Sequence, residues 1–373
     1  MKYLLVFSCV VVLCFTSCFY FNNKTKITNE VIKSESRLVQ QEFNLSKVYK
    51  DYFPVGTAMY YGLLSKKDRI AFIASQYNSI TIENELKAKY VHPERNRYDW
   101  AKADSLVRFA TENQMKIRGH CLVWAQGTPD WFFKNEKGDL ISKEELYKRM
   151  REHIYTVMNR YKGKIYCWDV VNEAVDYSWK PGIFKDTDLF YKIAGEEYID
   201  KAFQFAREAD SSAILFYNDN QFNDPRKSND IYNLIKRLKT RNVPIDGIGM
   251  QGHFNIKGLS ENDLRNNIIK FSDLGLDIQI TELDVRIFEN GMKNKNLSKQ
   301  VNYFTTSIEN EQAYIYEMIF RVCREYDNVT GITLWGAADW PNYLDNVYGV
   351  SAHPYLYSKT MLPKKAFFEV VDF

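Results

Sequence analysis

The sequence predicts an eight-stranded (β/α)8 barrel, also called a TIM barrel, in which each parallel strand is followed by a helix. From about residue 50, short apolar runs alternate with longer amphipathic segments. Such alternation indicates a parallel sheet, for which a doubly wound open sheet is the competing arrangement. No Gly-x-Gly-x-x-Gly follows the first run, which argues against a dinucleotide-binding open sheet. The eight predicted strands are Phe53–Met59, Ser79–Glu83, Ile117–Trp124, Ile165–Glu173, Ala213–Asp219, Ile245–His253, Asp277–Glu282 and Val329–Trp335.

The segments between these runs carry signals for the start and end of helices. Ser142-Lys-Glu-Glu145 and Ser260-Glu-Asn-Asp263 fit the capping box, in which a serine and an acidic residue satisfy the first turn of a helix. Apolar residues at helical spacing follow each box, and Gly163 and Gly275 mark the ends. The same spacing predicts helices over residues 187–209 and 310–327.

The N-terminal region is predicted to direct export. One lysine precedes an apolar run over residues 3–15, which is shorter than the ~20 residues of a membrane span and has the length of a signal-peptide core. Phe15-Thr-Ser-Cys18 resembles the lipobox of bacterial lipoproteins, in which the cysteine becomes the lipidated first residue. We expect a signal over residues 1–18, a polar tether over 19–45 and the barrel domain over 46–373. The protein would then be anchored through Cys18, facing the periplasm or the cell surface; plain secretion is the alternative.

The composition is that of a globular protein. Of the 373 residues, 45% are hydrophobic and 26% are charged, and the net charge is only +3. Basic residues form no run of five or more, so nucleic acid is not expected as a partner. The protein is expected to be a monomer. Cys121, Cys167 and Cys323 are interpreted as small buried side chains, although a Cys121–Cys167 disulfide would form if their strands were suitably placed.

Polar or aromatic side chains follow seven of the eight predicted strands. In a barrel of this class the chemistry lies at the carboxyl ends of the strands, so these side chains are expected on one rim. Each one alone has an ordinary explanation, such as capping or packing, but the joint pattern indicates a site. In strand order they are Glu83, Asn84 and Lys87; His120 and Trp124; Asn172 and Glu173; Asn218 and Asp219; Gln251 and His253; Glu282 and Asp284; and Trp335.

Glu173 and Glu282 end the fourth and seventh predicted strands, on opposite sides of the barrel mouth. Two carboxyl groups flanking a gap are what glycoside hydrolysis requires, one protonated to serve the leaving oxygen and the other ionised. We expect His253 and Gln251 to donate hydrogen bonds to Glu282 and so favour its ionised form. Apolar walls that include Trp124 are expected to raise the pKa of Glu173, as suits an acid.

Other chemistries have weaker sequence support. The chain has five histidines and neither His-x-His nor His-Glu-x-x-His, so a metal site built from His120, His253 and a glutamate is a minor alternative. Gly-x-Ser-x-Gly, the motif of many serine nucleophiles, does not occur. Neither a metal nor an organic cofactor is therefore expected.

Six motifs occur in order along the chain: Ile82-Glu-Asn-Glu-Leu-Lys87, Arg118-Gly-His-Cys-Leu-Val-Trp124, Trp168-Asp-Val-Val-Asn-Glu-Ala174, Gly249-Met-Gln-Gly-His253, Ile280-Thr-Glu-Leu-Asp284 and Leu334-Trp-Gly336. They resemble those of glycoside hydrolase family 10, the endo-β-1,4-xylanases, from about residue 45 to 370. The resemblance implies cleavage of internal xylan bonds by a retaining double displacement, with Glu173 as acid/base and Glu282 as nucleophile ~5–5.5 Å apart. It also implies that sugars bind to Glu83, Asn84, Lys87, His120, Trp124, Asn172, Gln251, His253, Trp335 and Tyr343.

The sequence departs from the family pattern at three places. Ala125-Gln126-Gly127 replaces a usual His-x-Gln, which removes a polar side chain or replaces it with Gln126. Asn220 stands where a tyrosine is usual, and Tyr343 where a second tryptophan is usual. All three affect substrate contacts and leave both glutamates in place. Two alternatives stay open: a non-catalytic xylan-binding lipoprotein, which would not need both glutamates, and a barrel glycosidase for another linkage such as β-1,3-xylan.

Overall fold

The computed structural model describes residues 44–176, 183–288, 304–341 and 343–373. Eight parallel strands pair in the order β1-β2-β3-β4-β5-β6-β8-β9, and β9 pairs with β1, so the sheet closes. The predicted (β/α)8 barrel is therefore confirmed. The strands are β1 Val55–Met59, β2 Ser79–Ile82, β3 Lys116–Val123, β4 Cys167–Asn172, β5 Ile214–Asp219, β6 Gly247–Met250, β7 His253–Asn255, β8 Asp277–Arg286 and β9 Val329–Leu334.

Helices follow the strands around the outside of the barrel. Ser142 Oγ accepts the backbone N–H of Glu145 at 3.3 Å, so the helix after β3 begins where its capping sequence predicts. The segment predicted as one helix over 187–209 is two helices, because Gly195 adopts φ +63° between them. The α-helices are α1 Leu45–Val48, α2 Lys67–Gln76, α3 Ala88–Val91, α4 Ala101–Glu112, α5 Lys143–Tyr161, α6 Leu189–Ala194, α7 Glu197–Ala209, α8 Pro225–Thr240, α9 Glu261–Ser272, α10 Thr306–Arg324, α11 Tyr343–Tyr348 and α12 Lys365–Val371.

The sixth predicted strand is interrupted. Gly252 has φ +79°, which ends β6 and lets the chain restart as β7. β7 pairs with the far end of β8, with His253 opposite Asp284, so β8 continues past Glu282 to Arg286. The interruption therefore places His253 next to the end of the strand that carries Glu282.

The interior of the barrel contains a buried polar cluster. The Arg118 guanidinium binds the Asp169 carboxylate at 2.7 Å and Gln279 Oε1 at 2.6 Å. The opposite oxygen of Asp169 accepts from His120 Nδ1 at 2.8 Å. Arg118 and Asp169 are both buried. Because Arg118 is on β3 and Asp169 is on β4, the ion pair links these two strands, and Gln279 extends the link to β8.

Cys121, Cys167 and Cys323 are buried free thiols, as the interpretation of small buried side chains predicts. The Cys121–Cys167 disulfide is not formed, because the strand register pairs Cys167 with Arg118 instead. Among the described residues, no helix combines the length and apolarity that a membrane crossing needs. The predicted signal and nearly all of the tether, residues 1–43, lie outside the described part of the chain.

Candidate active site

A cavity of about 530 Å³ at the carboxyl ends of the strands brings together most of the predicted site residues. Asn84 lines an adjoining cavity that shares Glu83, Trp335 and Tyr343 with it. His120, Asn172 and Glu282 are buried and contact residues that line the main cavity. The predicted residues that line the main cavity are Glu83, Lys87, Trp124, Glu173, Gln251, His253, Trp335 and Tyr343.

Both carboxylate oxygens of Glu282 accept hydrogen bonds. Asn218 Nδ2 donates to Oε1 at 2.8 Å, and His253 Nε2 lies 3.2 Å from Oε2. Asn218 is itself oriented by Thr281, whose hydroxyl donates to Asn218 Oδ1 at 2.6 Å. The carboxylate is only 5% exposed, so its position is fixed by packing and by these two donors.

His253 is held between Glu282 and Asp284. Its Nδ1 lies 2.6 Å from Asp284 Oδ2. Burial lowers the pKa of His253, but Asp284 and Glu282 outweigh burial and raise it to about 9. The imidazole is therefore protonated at neutral pH and donates from both nitrogens. The predicted donation from His253 to Glu282 is present.

Glu173 has a hydrogen-bond donor at each carboxylate oxygen. Gln251 Nε2 donates to Oε1 at 2.9 Å, and Lys185 Nζ lies 3.4 Å from Oε2. The residue adopts φ +55°, and its backbone N–H donates to Asn218 O at 2.9 Å. A non-glycine residue in this backbone region is strained, which is common at functional sites.

Two expectations about these carboxyl groups are wrong. Burial is the largest influence on Glu173 and would raise its pKa, but Lys185, Gln251, Lys227 and His253 together lower that pKa below its usual value. The Gln251 side chain serves Glu173 and not Glu282. The backbone carbonyl of Gln251 accepts the Glu282 N–H at 2.7 Å.

A chain of side-chain amides connects the two glutamates. Asn172 Oδ1 accepts from Asn218 Nδ2 at 2.8 Å and lies 3.5 Å from Gln251 Nε2. Asn218 also binds Glu282, and Gln251 also binds Glu173. The two carboxyl groups are thus positioned by one connected set of hydrogen bonds, as a reaction that uses both requires.

The residues after β2 form a second polar group on the rim. Asn84 Nδ2 donates to Glu83 Oε1 at 3.1 Å, and Lys87 Nζ donates to Asn84 Oδ1 at 3.2 Å. Burial raises the pKa of Glu83 in spite of Lys87. The Lys87 ammonium also lies 5.0 Å from the centroid of the Trp124 ring. Closely spaced donors and acceptors beside an aromatic face suit a ligand rich in hydroxyl groups.

The three departures from the family pattern have structural consequences. The Tyr343 hydroxyl accepts from Arg286 Nη2 at 2.7 Å and donates to Asp284 Oδ2 at 3.3 Å. Asn220 Oδ1 accepts from Lys227 Nζ at 2.5 Å and lines the cavity. A Cβ at Gly127 would lie 2.6 Å from the Trp124 ring, so the indole occupies that space. Gln126 is exposed and is not part of the cavity lining.

Sequence reasoning missed two residues of the site, Arg286 and Lys185, and placed Asn218 on the rim without giving it a role. Arg286 could have been found, because it follows Glu282 and Asp284 at the strand period of two. Lys185 had no such signal, because it lies in a loop twelve positions after Glu173. Among the described residues, no group of three or more His, Cys, Asp or Glu side chains is arranged to hold a metal ion.

The sequence model of glycosyl hydrolase family 10 matches residues 44–373. The chain belongs to this family. Family 10 members are glycoside hydrolases, so the protein is an enzyme of that class, as the six motifs predict. The β-1,4-xylanase of Dictyoglomus thermophilum is 40% identical over 88% of this chain and 91% of its own length. Endo-1,4-beta-xylanase A of Caldicellulosiruptor saccharolyticus is also 40% identical, over 88% of this chain and 96% of its own length.

Solved structures of family 10 share this barrel. Xylanase XynB of Paenibacillus barcinonensis, complexed with a conduramine derivative, superposes with a TM-score of 0.83 at 38% identity, covering 88% of this chain and 98% of that one. A mutant protein in complex with xylotriose has a TM-score of 0.83 at 36% identity, covering 89% of this chain and all of that one.

Proposed function

We propose that the protein hydrolyses internal β-1,4-xylosidic bonds of xylan with retention of configuration, using Glu282 as nucleophile and Glu173 as acid/base. The observation that carries the assignment is that a single amide network fixes both carboxyl groups at the cavity. Of the two glutamates, Glu173 lines the open cavity. Retention is general to family 10, and the curated relatives quoted above are xylanases by name.

The reaction has two displacements. In the first, Glu282 attacks the anomeric carbon while the glycosidic bond breaks, and Glu173 gives its proton to the departing sugar oxygen. In the second, Glu173 takes a proton from water, which attacks the same carbon and releases Glu282. The His253 imidazolium lies beside Glu282 and balances the charge of its carboxylate before the first step and again after the second, when the ester to the sugar has been cleaved.

Hydrolysis of β-1,4-xylohexaose by the protein lacking residues 1–18 tests this assignment. Xylobiose and xylotriose should form by internal cuts, and Glu282→Ala should form neither. An intact hexamer that still binds would instead favour a non-catalytic binding protein. Cleavage of a β-1,3-xylan oligomer in preference to the β-1,4 hexamer would favour the other-linkage glycosidase.

We also propose that the enzyme is a monomer anchored to a bacterial membrane by lipid on Cys18. The barrel begins at the face opposite the cavity: Leu45 N donates to Gln76 Oε1, and the Tyr49 hydroxyl donates to Val370 O, and both acceptors lie at helix C-terminal ends. In such a barrel helix C-termini lie at the N-terminal ends of the strands, so the chain at Leu45 enters the barrel on the side away from the cavity.

Membrane fractionation tests the anchor. The full chain should partition with membranes and incorporate radiolabelled fatty acid, whereas Cys18→Ala should do neither. Light scattering of the protein without residues 1–18 should give the mass of a single chain. Fatty-acid labelling that persists in Cys18→Ala, or a stable dimer, would contradict the respective proposal.

A further inference from the structure

Lys185 forms an ion pair with Glu173. Its ammonium lies 3.4 Å from Glu173 Oε2, and the two side chains are only 18% and 15% exposed. The other oxygen of Glu173 is held by the neutral Gln251 amide. Gln251 does not bind Glu173 Oε2, so Oε2 is the oxygen that would carry the transferable proton. Lys185 is the cation beside this oxygen.

The backbone fixes the position of Lys185. Val175 and Phe184 form an antiparallel bridge, and Asp176 N donates to Ile183 O at 2.7 Å, so the chain returns beside the end of β4. Asp188 N donates to Lys185 O at 2.9 Å, which closes a turn before α6. Lys185 is thus held on both sides by backbone contacts directly next to Glu173.

In the part of the chain that the structure describes, the other cations whose charge acts on Glu173 have carboxylate partners of their own. Lys227 forms an ion pair with Asp219 at 2.7 Å, and His253 is bound to Asp284 and Glu282. Lys185 also acts to lower the pKa of Asp188. The Asp188 carboxylate, however, accepts the N–H groups of residues 190 and 191 and so caps α6. Of the described cations, Lys185 is consequently the one whose charge acts most directly on Glu173.

We propose that Lys185 is a positioning residue for Glu173, holding Oε2 and stabilising the carboxylate that forms when the proton passes to the departing sugar oxygen. This role rests on the proposed function of Glu173. Proton transfer to a poor leaving group is favoured when the conjugate base is stabilised, and the same contact orients the carboxylate for its later task as a base. A nearby positive charge also lowers the pKa of Glu173, which agrees with the direction found.

The test is the pH dependence of kcat/KM on xylohexaose. The basic limb follows Glu173, which must be protonated for the first step. Removing a positive charge raises the pKa of the acid, so Lys185→Met should move the basic limb upward by ~1 pH unit, the low end of the effect of an opposite charge at this distance. Lys185→Arg should keep the wild-type limb. Lys192→Met is the matched control, because Lys192 is a neighbouring exposed lysine in α6.

The outcomes separate this role from the proposed function. An inactive wild type would overturn the function itself, whereas an active wild type with a superimposable Lys185→Met profile would overturn only the role of Lys185. If Lys185→Met is folded but inactive at every pH and Lys185→Arg is active, charge is still the property that matters and the role stands. If both variants are folded and inactive, the charge-based role is wrong. A melting curve for each variant distinguishes these results from misfolding, and a misfolded Lys185→Met is replaced by Lys185→Gln.

Discussion

At the scale of single residues, Glu173 shows how strongly a side chain depends on its backbone. Its φ of +55° turns the chain sharply after β4, and its N–H reaches Asn218 O. Such a conformation costs ~1–3 kcal/mol for a non-glycine residue and persists only where the surroundings impose it. The turn presents the carboxyl group to Gln251 and Lys185, whereas a straight continuation of the strand would not.

Glu173→Gln should affect substrates according to their leaving groups. The amide cannot donate the proton, so turnover of xylohexaose should fall by ~10²–10⁴-fold, the usual contribution of general acid catalysis. An aryl β-xyloside with an acidic phenol needs little protonation, and its glycosylation step should be much less affected. Pre-steady-state release of phenol measures that step. Glu282→Gln, as the control, should abolish both phenol release from the aryl xyloside and cleavage of xylohexaose. Equal losses of these two activities in Glu173→Gln would contradict its role as the acid.

His253 should make stability depend on pH. Its folded-state pKa of about 9 lies above the unfolded value of ~6.5. Its contribution is therefore fully present below pH ~6.5 and is lost as pH rises through about 9. The free energy of unfolding of the wild type should fall by roughly 2–3 kcal/mol more than that of His253→Asn over this interval. Urea titrations at a series of pH values measure the difference, and parallel pH curves for the two proteins would refute it.

At the scale of elements, local signals place helix starts well but not their side-chain partners. Ser142 caps α5 as predicted, yet the Glu145 carboxylate binds Arg149 at 2.8 Å and Arg95 at 2.9 Å. Arg95 is fifty residues away in sequence, so no local pattern could indicate it. The Glu145 carboxylate therefore binds these two arginines, whereas the capping box predicts a hydrogen bond from the Ser142 backbone N–H.

Ser142→Ala should destabilise the protein by ~1 kcal/mol, because the first turn of α5 loses its side-chain acceptor. Ser105→Ala is the control. Ser105 is in the interior of α4, where its hydroxyl bonds only to the preceding turn and alanine is the better helix former. Urea unfolding at neutral pH should separate the two variants. Equal stability of Ser142→Ala and wild type would show that the cap contributes nothing.

At the scale of the whole molecule, the buried pair of Arg118 and Asp169 joins strands that are far apart in sequence. Arg118 reaches Gln279 on β8, across the barrel interior. Removing one member of such a pair leaves the other charge buried without compensation, which costs ~3–5 kcal/mol.

Arg118→Met should therefore lower the free energy of unfolding by ~3–5 kcal/mol, measured by urea titration. The double variant Arg118→Met with Asp169→Leu should recover part of this loss, because no unpaired charge remains. The exposed pair of Arg97 and Glu94 provides the control, and Arg97→Met should cost less than ~1 kcal/mol. If Arg118→Met is no more damaging than this control, the pair does not stabilise the barrel.

The sequence by itself determined the barrel and most of the site. Strand and helix periods and caps are local properties, and parallel strands must deliver their carboxyl ends to one rim, so Glu173, Glu282 and their neighbours could be placed together in advance. Tertiary structure decided which side chain serves which carboxyl group. Gln251 binds Glu173, and Lys185, which lies in a loop, is the first of the four groups that together reverse the expected direction of the Glu173 pKa shift. Hydrogen bonds and charge effects act over a few ångströms between residues distant in sequence, and only the folded chain sets those distances.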